Sequence, residues 1–419
     1  MMRFRLLSAG VIGAGLGLSL VPHSPLGVPA AYAQDSEKLR PEVGKPLQKA
    51  QEFVKDHKLA EAAAQVRDAD NAKNKTAYES FVIEQMRGSI AQASGDYAAA
   101  AKSYETQLAS GRVSGAEETK LVMAVATSSY QLKDYPKAVT WIQRYLKEGG
   151  SDPAMRALLI SAYYSAGDYA NAGKAQAEQI AAEEKAGAKP TEEQLQLLQA
   201  CQTQTKDNAG FVNTIEKLVT YYPKKDYWAL LIHGLQVKPG FASDRLALDL
   251  DRLQLAVGTL TTSAQYMDMA QISLQAGLTG EAKVIVDKGY ASGVLGTGTE
   301  AARQQRLKDL VTRTINDDQQ TMGKGDADAD AAAAKDGQAL LDIGAKYVSY
   351  GKYDKGIPDM EAAVRKDQLK HPEDAKLHLG LAYLAAGQKA KAVQMLKTVG
   401  GTDGTADLAR LWILEIGKV

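Results

Sequence analysis

Beyond residue 40 the apolar side chains recur at three- and four-residue spacing, as in Leu195, Leu198 and Cys201, the signature of helices with one buried face. The alternating β-branched runs that would announce strands are missing, and alanine and other strong helix formers dominate. One short polar phrase keeps interrupting the helical pattern. It reads Ser94-Gly95-Asp96-Tyr97 with a small residue following at Ala100, then Leu132-Lys133-Asp134-Tyr135 with Ala138, then Ala166-Gly167-Asp168-Tyr169 with Ala172. Near the C-terminus it reads Tyr350-Gly351-Lys352-Tyr353 with Gly356 and Ala386-Gly387-Gln388-Lys389 with Ala392. Weaker copies sit around His57, Lys206-Asp207 and Gly277.

These turns follow one another at steps of roughly 34–39 residues, with two long steps of about twice that length. A period of that size is one pair of antiparallel helices. Glycine in the turn takes a backbone conformation other residues resist and so ends the first helix. The aspartate after it can cap the second helix. The small residue lets the two helices approach closely. Bulky residues at Tyr104, Ile142, Ile215, Val286, Met360 and Leu396 are left to fill the seam to the next pair. No pair buries its apolar face alone, so the pairs must stack.

The register resembles that of the tetratricopeptide repeat (TPR) family. The final unit carries the family's Leu-Gly, Tyr, Gly and Ala as Leu379-Gly380, Tyr383, Gly387 and Ala392. The unit before it has Ile343-Gly344, Tyr347 and Gly351, but Gly356 stands where Ala is usual. The unit around Gly167 has Tyr163 and Ala172, with Leu159-Ile160 in place of Leu-Gly, and Pro223 supplies the family's terminal proline. The resemblance covers most of 40–419. It implies an all-α, TPR-like α-solenoid, a right-handed superhelix of antiparallel helix pairs with a concave face lined by the first helices.

Four segments are expected: a signal peptide over 1–33, a repeat array over 34–289, a degenerate unit with a Gly/Asp/Ala-rich loop over 290–336, and C-terminal repeats with a capping helix over 337–419. Within the array, Tyr227 to Val257 reads as a helix pair joined by a longer Pro239-Gly240 turn. In the last segment, Leu408 and Trp412 would cover the final repeat. At the start of the chain, Arg3 and Arg5 precede an apolar run from Leu6 to Val21; prolines at 22, 25 and 29 and the small-x-small site Ala31-Tyr32-Ala33 follow. That order is a secretory leader, shorter than the roughly 20 strongly apolar residues of a membrane span. No integral span is expected once it is removed.

Lysine plus arginine equal aspartate plus glutamate, 50 against 50. Removing Arg3 and Arg5 tips the remainder slightly acidic, so no nucleic-acid partner is expected, since such binding needs a basic surface that releases counterions. The single cysteine, Cys201, excludes an internal disulfide and a cysteine-based zinc site, and its apolar neighbours make it a small core residue.

Candidate chemistry is thin. His57, His233, His371 and His378 form no His-Glu-x-x-His pair and read as structural histidines. Asp326, Asp328 and Asp330 alternate like the start of a calcium loop, but Ala331 and Gly337 stand where the loop needs glycine and glutamate. Ser349-x-x-Lys352 falls on a repeat turn without partner motifs, and Gly323-Lys324-Gly325 lacks the setting of a phosphate loop. No catalytic residue, metal or cofactor is expected, and the chain reads as a non-enzyme.

The resemblance places Met123, Thr127 and Tyr130 on the concave face, with Ala157, Ser161 and Tyr164 in the next first helix and Gln196, Ala200 and Thr203 in the one after. The last two first helices would present Leu341, Ala345 and Val348, then Leu377, Leu381 and Leu384. The family's Lys/Asn clamp for a terminal carboxylate is not visible, and an uncharged groove suits an apolar segment. The expected function is a periplasmic scaffold or adaptor that joins proteins of unidentified kind in a bacterial envelope. The alternatives are a cell-wall enzyme on a helical scaffold, and a self-assembling structural protein.

Overall fold

The computed structural model describes residues 38–322, 336–366 and 369–417. The leader over 1–33 and the aspartates at 326, 328 and 330 lie outside the described residues. Among the described residues every regular element is a helix. They form two compact units, one ending at Leu159 and one beginning at Ile160.

The first unit contains α1 (Pro41–Lys55), α2 (Leu59–Asp70), α3 (Ala77–Ala93), α4 (Tyr97–Ala109), α5 (Gly115–Gln131) and α6 (Tyr135–Lys147). Each helix packs chiefly on its neighbours in sequence, the construction of an α-solenoid. Thr76 caps α3 with a full capping box: its hydroxyl accepts from the Glu79 N–H at 3.1 Å and the Glu79 carboxylate accepts from the Thr76 N–H at 2.9 Å. That buried carboxylate also receives the Arg40 guanidinium. The guanidinium, together with the backbone N–H groups of Thr76 and Arg40, overcomes burial and holds Glu79 at about 2.

The repeat turns have the form the sequence requires. Gly95 has φ +78°, and Asp96 Oδ1 accepts from the Ala99 N–H at 3.0 Å. In the next turn Lys133 takes the same left-handed region at φ +61° without being glycine, and Asp134 caps α6. The small positions Ala100, Ala138, Ala172, Ala282 and Ala392 are all fully buried. The bulky seam residues are buried too, from Tyr104 at 8 % exposed to Ile142 and Ile215 at 0 %.

Helix α7 (Pro153–Ser165) contains the division between the units. The second unit continues with α8 (Tyr169–Lys185), α9 (Glu192–Thr205), α10 (Asn208–Tyr221), α11 (Lys225–Gln236), α12 (Ala247–Val257), α13 (Ser263–Gln275), α14 (Thr279–Ala291) and α15 (Ala301–Met322). After the undescribed residues come α16 (Gly337–Ser349), α17 (Tyr353–Arg365), α18 (Pro372–Ala385), α19 (Lys389–Leu396) and α20 (Thr405–Ile416). As expected, α11 and α12 are joined by a long turn, whose Gly240 has φ +84°.

The end of this unit does more than cover the final repeat. Helix α20 touches not only α18 and α19 but also α10 and α12, far earlier in the chain. Leu408 at 0 % exposed and Trp412 at 6 % join one core with Ile215, Trp228 and Leu253. The run from α10 to α20 therefore curls back on itself, and α20 closes it as well as covering the last repeat. The physical reason is that α20 is apolar on more than one face, with Leu408, Ala409, Leu411 and Trp412 all buried. A cap needs one apolar stripe and a polar outer face.

Candidate functional site

The closure is held by charge as well as by packing. In the turn before α12, Arg245 reaches across to Asp374 in α18 and to Asp403 before α20. Asp374 is the largest influence holding the Arg245 guanidinium above its ordinary value. Thr405 Oγ1 lies 3.2 Å from an Asp374 carboxylate oxygen and 2.9 Å from one of Asp403, so its one proton is shared between the two carboxylates from the other side. The Ala242 N–H donates to the Asp403 carbonyl at 2.9 Å, and Lys238 pairs with Asp407 at 2.6 Å.

A second chain of charges runs deeper. His378 Nε2 lies 3.0 and 3.1 Å from the two carboxylate oxygens of Asp249. Asp249 accepts from Arg252 at 2.7 Å, and Arg252 donates two parallel hydrogen bonds to Glu281 at 2.7 and 2.6 Å, the strong bidentate geometry. Burial alone would raise the Asp249 carboxyl; His378 and Arg252 outweigh it and hold it at about 2. Burial would likewise depress Arg252, but Glu281 and Asp249 hold it above its ordinary value. The chain links α18, α12 and α14 with each buried charge paired, as such charges must be.

These residues border a cavity of about 570 Å³ within the second unit. Arg245, Asp249, Arg252, Glu281 and His378 form its charged side. Its apolar side includes Leu255, Ile272, Val284, Leu381, Leu384 and Trp412. Val284 is 50 % exposed, a large apolar side chain left open at the rim. The indole N–H of Trp412 is buried and has no acceptor among the described residues.

The residues expected on a concave face fall into both units and meet different fates. In the first unit Met123, Thr127 and Tyr130 are half-buried. Thr127 Oγ1 donates to the Met123 carbonyl at 2.9 Å, and the Tyr130 ring packs edge-on against Tyr135 at 5.5 Å. In the second unit Ser161 and Tyr164 are half-buried, and Tyr164 packs edge-on against Tyr169 at 5.3 Å. Each tyrosine thus braces its own hairpin, since the partner ring is the first residue of the following helix. Leu381 and Leu384, with Ala345 and Val348, border the cavity. Leu377 does not: it is 0 % exposed and belongs to the core that holds Trp228 and, from α20, Leu408 and Trp412. It is withdrawn as a binding residue.

Sequence reasoning missed Asp249, Arg252 and Glu281 altogether and passed His378 over as structural. Asp249 and Arg252 sit one helical turn apart, but their other partners lie 129 and 29 residues away. Cys201 is buried as expected, and burial pushes its thiol up to about 11. Among the described residues no group of three His, Cys, Asp or Glu side chains is placed to hold a metal, and no helix is long and apolar enough to cross a membrane.

Stacked helical hairpins with recurrent glycine–aspartate turns and buried small residues define a helical-repeat protein. The tetratricopeptide repeat family model matches residues 86–153 and 341–399, so the chain carries tetratricopeptide repeats in those two stretches. No curated protein matches it. Among solved structures, Naa15/Naa10 bound to HypK-THB is 15 % identical with a TM-score of 0.33, over 86 % of this chain and 58 % of that one. This chain thus spans under two thirds of that protein's length. Yeast Tom70 is 11 % identical with a TM-score of 0.22, over 88 % of this chain and 94 % of that one. The TPR2AB domain of yeast Sti1, in complex with pHSP90, is 12 % identical with a TM-score of 0.23, over 72 % and 99 %. At such scores nothing particular to those proteins transfers to this one.

Proposed function

We propose that this chain is an exported adaptor that works in the bacterial periplasm, holding protein partners together through its helical-repeat surfaces. The repeats make it a protein-interaction scaffold. The observation that carries the finer reading is the order Arg3, Arg5, an apolar run from Leu6 to Val21 and then Ala31-Tyr32-Ala33, which is the order of a cleavable leader. The slightly acidic balance that remains suits a protein partner better than a nucleic acid. The half-buried Tyr130 and Tyr164 corners supply the aromatic surface at which protein contacts concentrate.

Two measurements test this reading. Fractionation with N-terminal sequencing should recover a periplasmic chain beginning at Gln34. Photo-crosslinking in living cells from Met123 and Tyr164, followed by mass spectrometry, should recover the same few envelope proteins reproducibly. A chain that keeps Met1 and stays in the cytoplasm would refute the location. Crosslinks spread evenly over abundant bystanders would refute the adaptor role.

A further inference from the structure

We propose that closure of the second unit is gated by pH: protonation of His378 fastens α18 to α12, and loss of that proton loosens them. The inference goes beyond the adaptor reading and does not depend on which protein the repeats hold.

The two segments meet through a short ladder of opposite charges. Arg245 and Asp249 stand four residues apart on one side, and Asp374 and His378 four apart on the other. Arg245 pairs with Asp374, and Asp249 with His378 at 3.0 Å. Arginine stays charged throughout the range in which proteins fold, so the first rung is permanent. The second is not, because an imidazole changes its charge between about pH 5 and 8.

The charge balance shows which state the closed form favours. The linked side chains of His378, Asp249, Arg252 and Glu281 include two carboxylates but one guanidinium. They sum to neutral only when His378 carries its proton. The Asp249 side chain is 4 % exposed and that of Arg252 18 %, so an unbalanced charge there is costly. His378 keeps 31 % of its side chain exposed and can exchange its proton with solvent.

The surroundings supply no substitute cation. Arg245 is already engaged by Asp374 and Asp403, and on α18 itself Lys376 pairs with Glu373. Lys288 of α14 borders the same cavity but is exposed, and Asp244 before α12 adds an exposed acid. Helices α13, α16, α17 and α20 meet the cavity with uncharged side chains, Met269, Ala345, Met360 and Trp412 among them, and no residue of α19 borders it. A histidine whose charged form is favoured by closure contributes stability that is present in acid and lost as pH rises.

Hydrogen exchange on the full chain tests this, reading the protection of α18 and α20 amides after correction for the intrinsic exchange rate. Asp251, half-buried on α12, is pushed up to about 6 by burial and by Asp268 and loses its own contribution in the same direction. Every comparison is therefore made in the Asp251→Asn protein. There protection should fall by about fivefold to tenfold between about pH 5.5 and about pH 8, the size of one charge-assisted hydrogen bond reduced for solvent access. His378→Gln has no charge to lose and should show no such fall. His378→Arg, a fixed cation, should keep protection at its acid level at the higher pH. A fall of the same size in His378→Gln overturns the proposal, as does one as steep in His378→Arg as with histidine. Constant protection across the interval with histidine in place overturns it as well.

Discussion

Replacing Asp251 by asparagine should stabilise the second unit at neutral pH. Asp251 lies on α12, half-buried, with no cationic partner among the described residues. Burial, and to a lesser degree Asp268 on α13, push its carboxyl from 3.8 to about 6. A raised carboxyl means that folding favours the protonated form. Its contribution is fully present below 3.8 and is lost as pH climbs through about 6. Moving the carboxyl over that interval corresponds to about 3 kcal/mol at full ionisation. Partial solvent access reduces this to an expected ~1–2 kcal/mol. Asparagine keeps the shape and removes the charge. Urea unfolding of wild type and Asp251→Asn, followed by tryptophan fluorescence, should show the variant more stable by that amount at pH 7.5. At pH 3.5 the difference should shrink to a few tenths of ~1 kcal/mol, because the wild-type carboxyl is then protonated when folded. An offset of the same size at both pH values would refute the electrostatic argument, as would a variant less stable than wild type at pH 7.5.

Other outcomes follow from the same geometry. Arg245→Ala leaves Asp374 and Asp403 facing each other without their cation and should cost about 3 kcal/mol by urea unfolding; a loss below about 1 kcal/mol would mean that packing alone closes the unit. Lys133→Gly relieves a left-handed backbone at φ +61° and should raise stability by about 1 kcal/mol in thermal melts, where a lowered melting point would contradict the strain argument. Acid titration should show stability falling from about pH 4 through about 2 as Asp249 protonates, because a depressed carboxyl contributes only while ionised; Asp249→Asn should flatten that fall. Cys201 should resist thiol reagents in the native chain and react quickly in denaturant, since its thiol sits high and buried; fast native labelling would show that α9 opens locally.

How much of this was legible beforehand depends on distance along the chain. The turns at Gly95, Gly167 and Gly387 and the small residues at Ala100 and Ala392 could be read because they answer to backbone constraints within one hairpin. Even the non-glycine turns at Lys133 and Lys206 were located by spacing, although only the backbone angles reveal that both lysines sit in the left-handed region. The return of α20 was not legible. It rests on pairs such as Lys238 with Asp407 and Arg245 with Asp403, which leave no periodic trace. Leu377 shows the cost of reading one helix at a time: the repeat register put it on an open face, and the returning helix covers it.

That return has a consequence for how such a chain can change. An open stack can gain or lose a hairpin anywhere, since only nearest neighbours must match. Between α12 and α18 this freedom is gone. Inserting or deleting one hairpin there would shift Asp374 away from Arg245 and His378 away from Asp249 together. The number of hairpins in this stretch is therefore fixed by geometry, much as the number of staves is fixed in a barrel once its hoop is set.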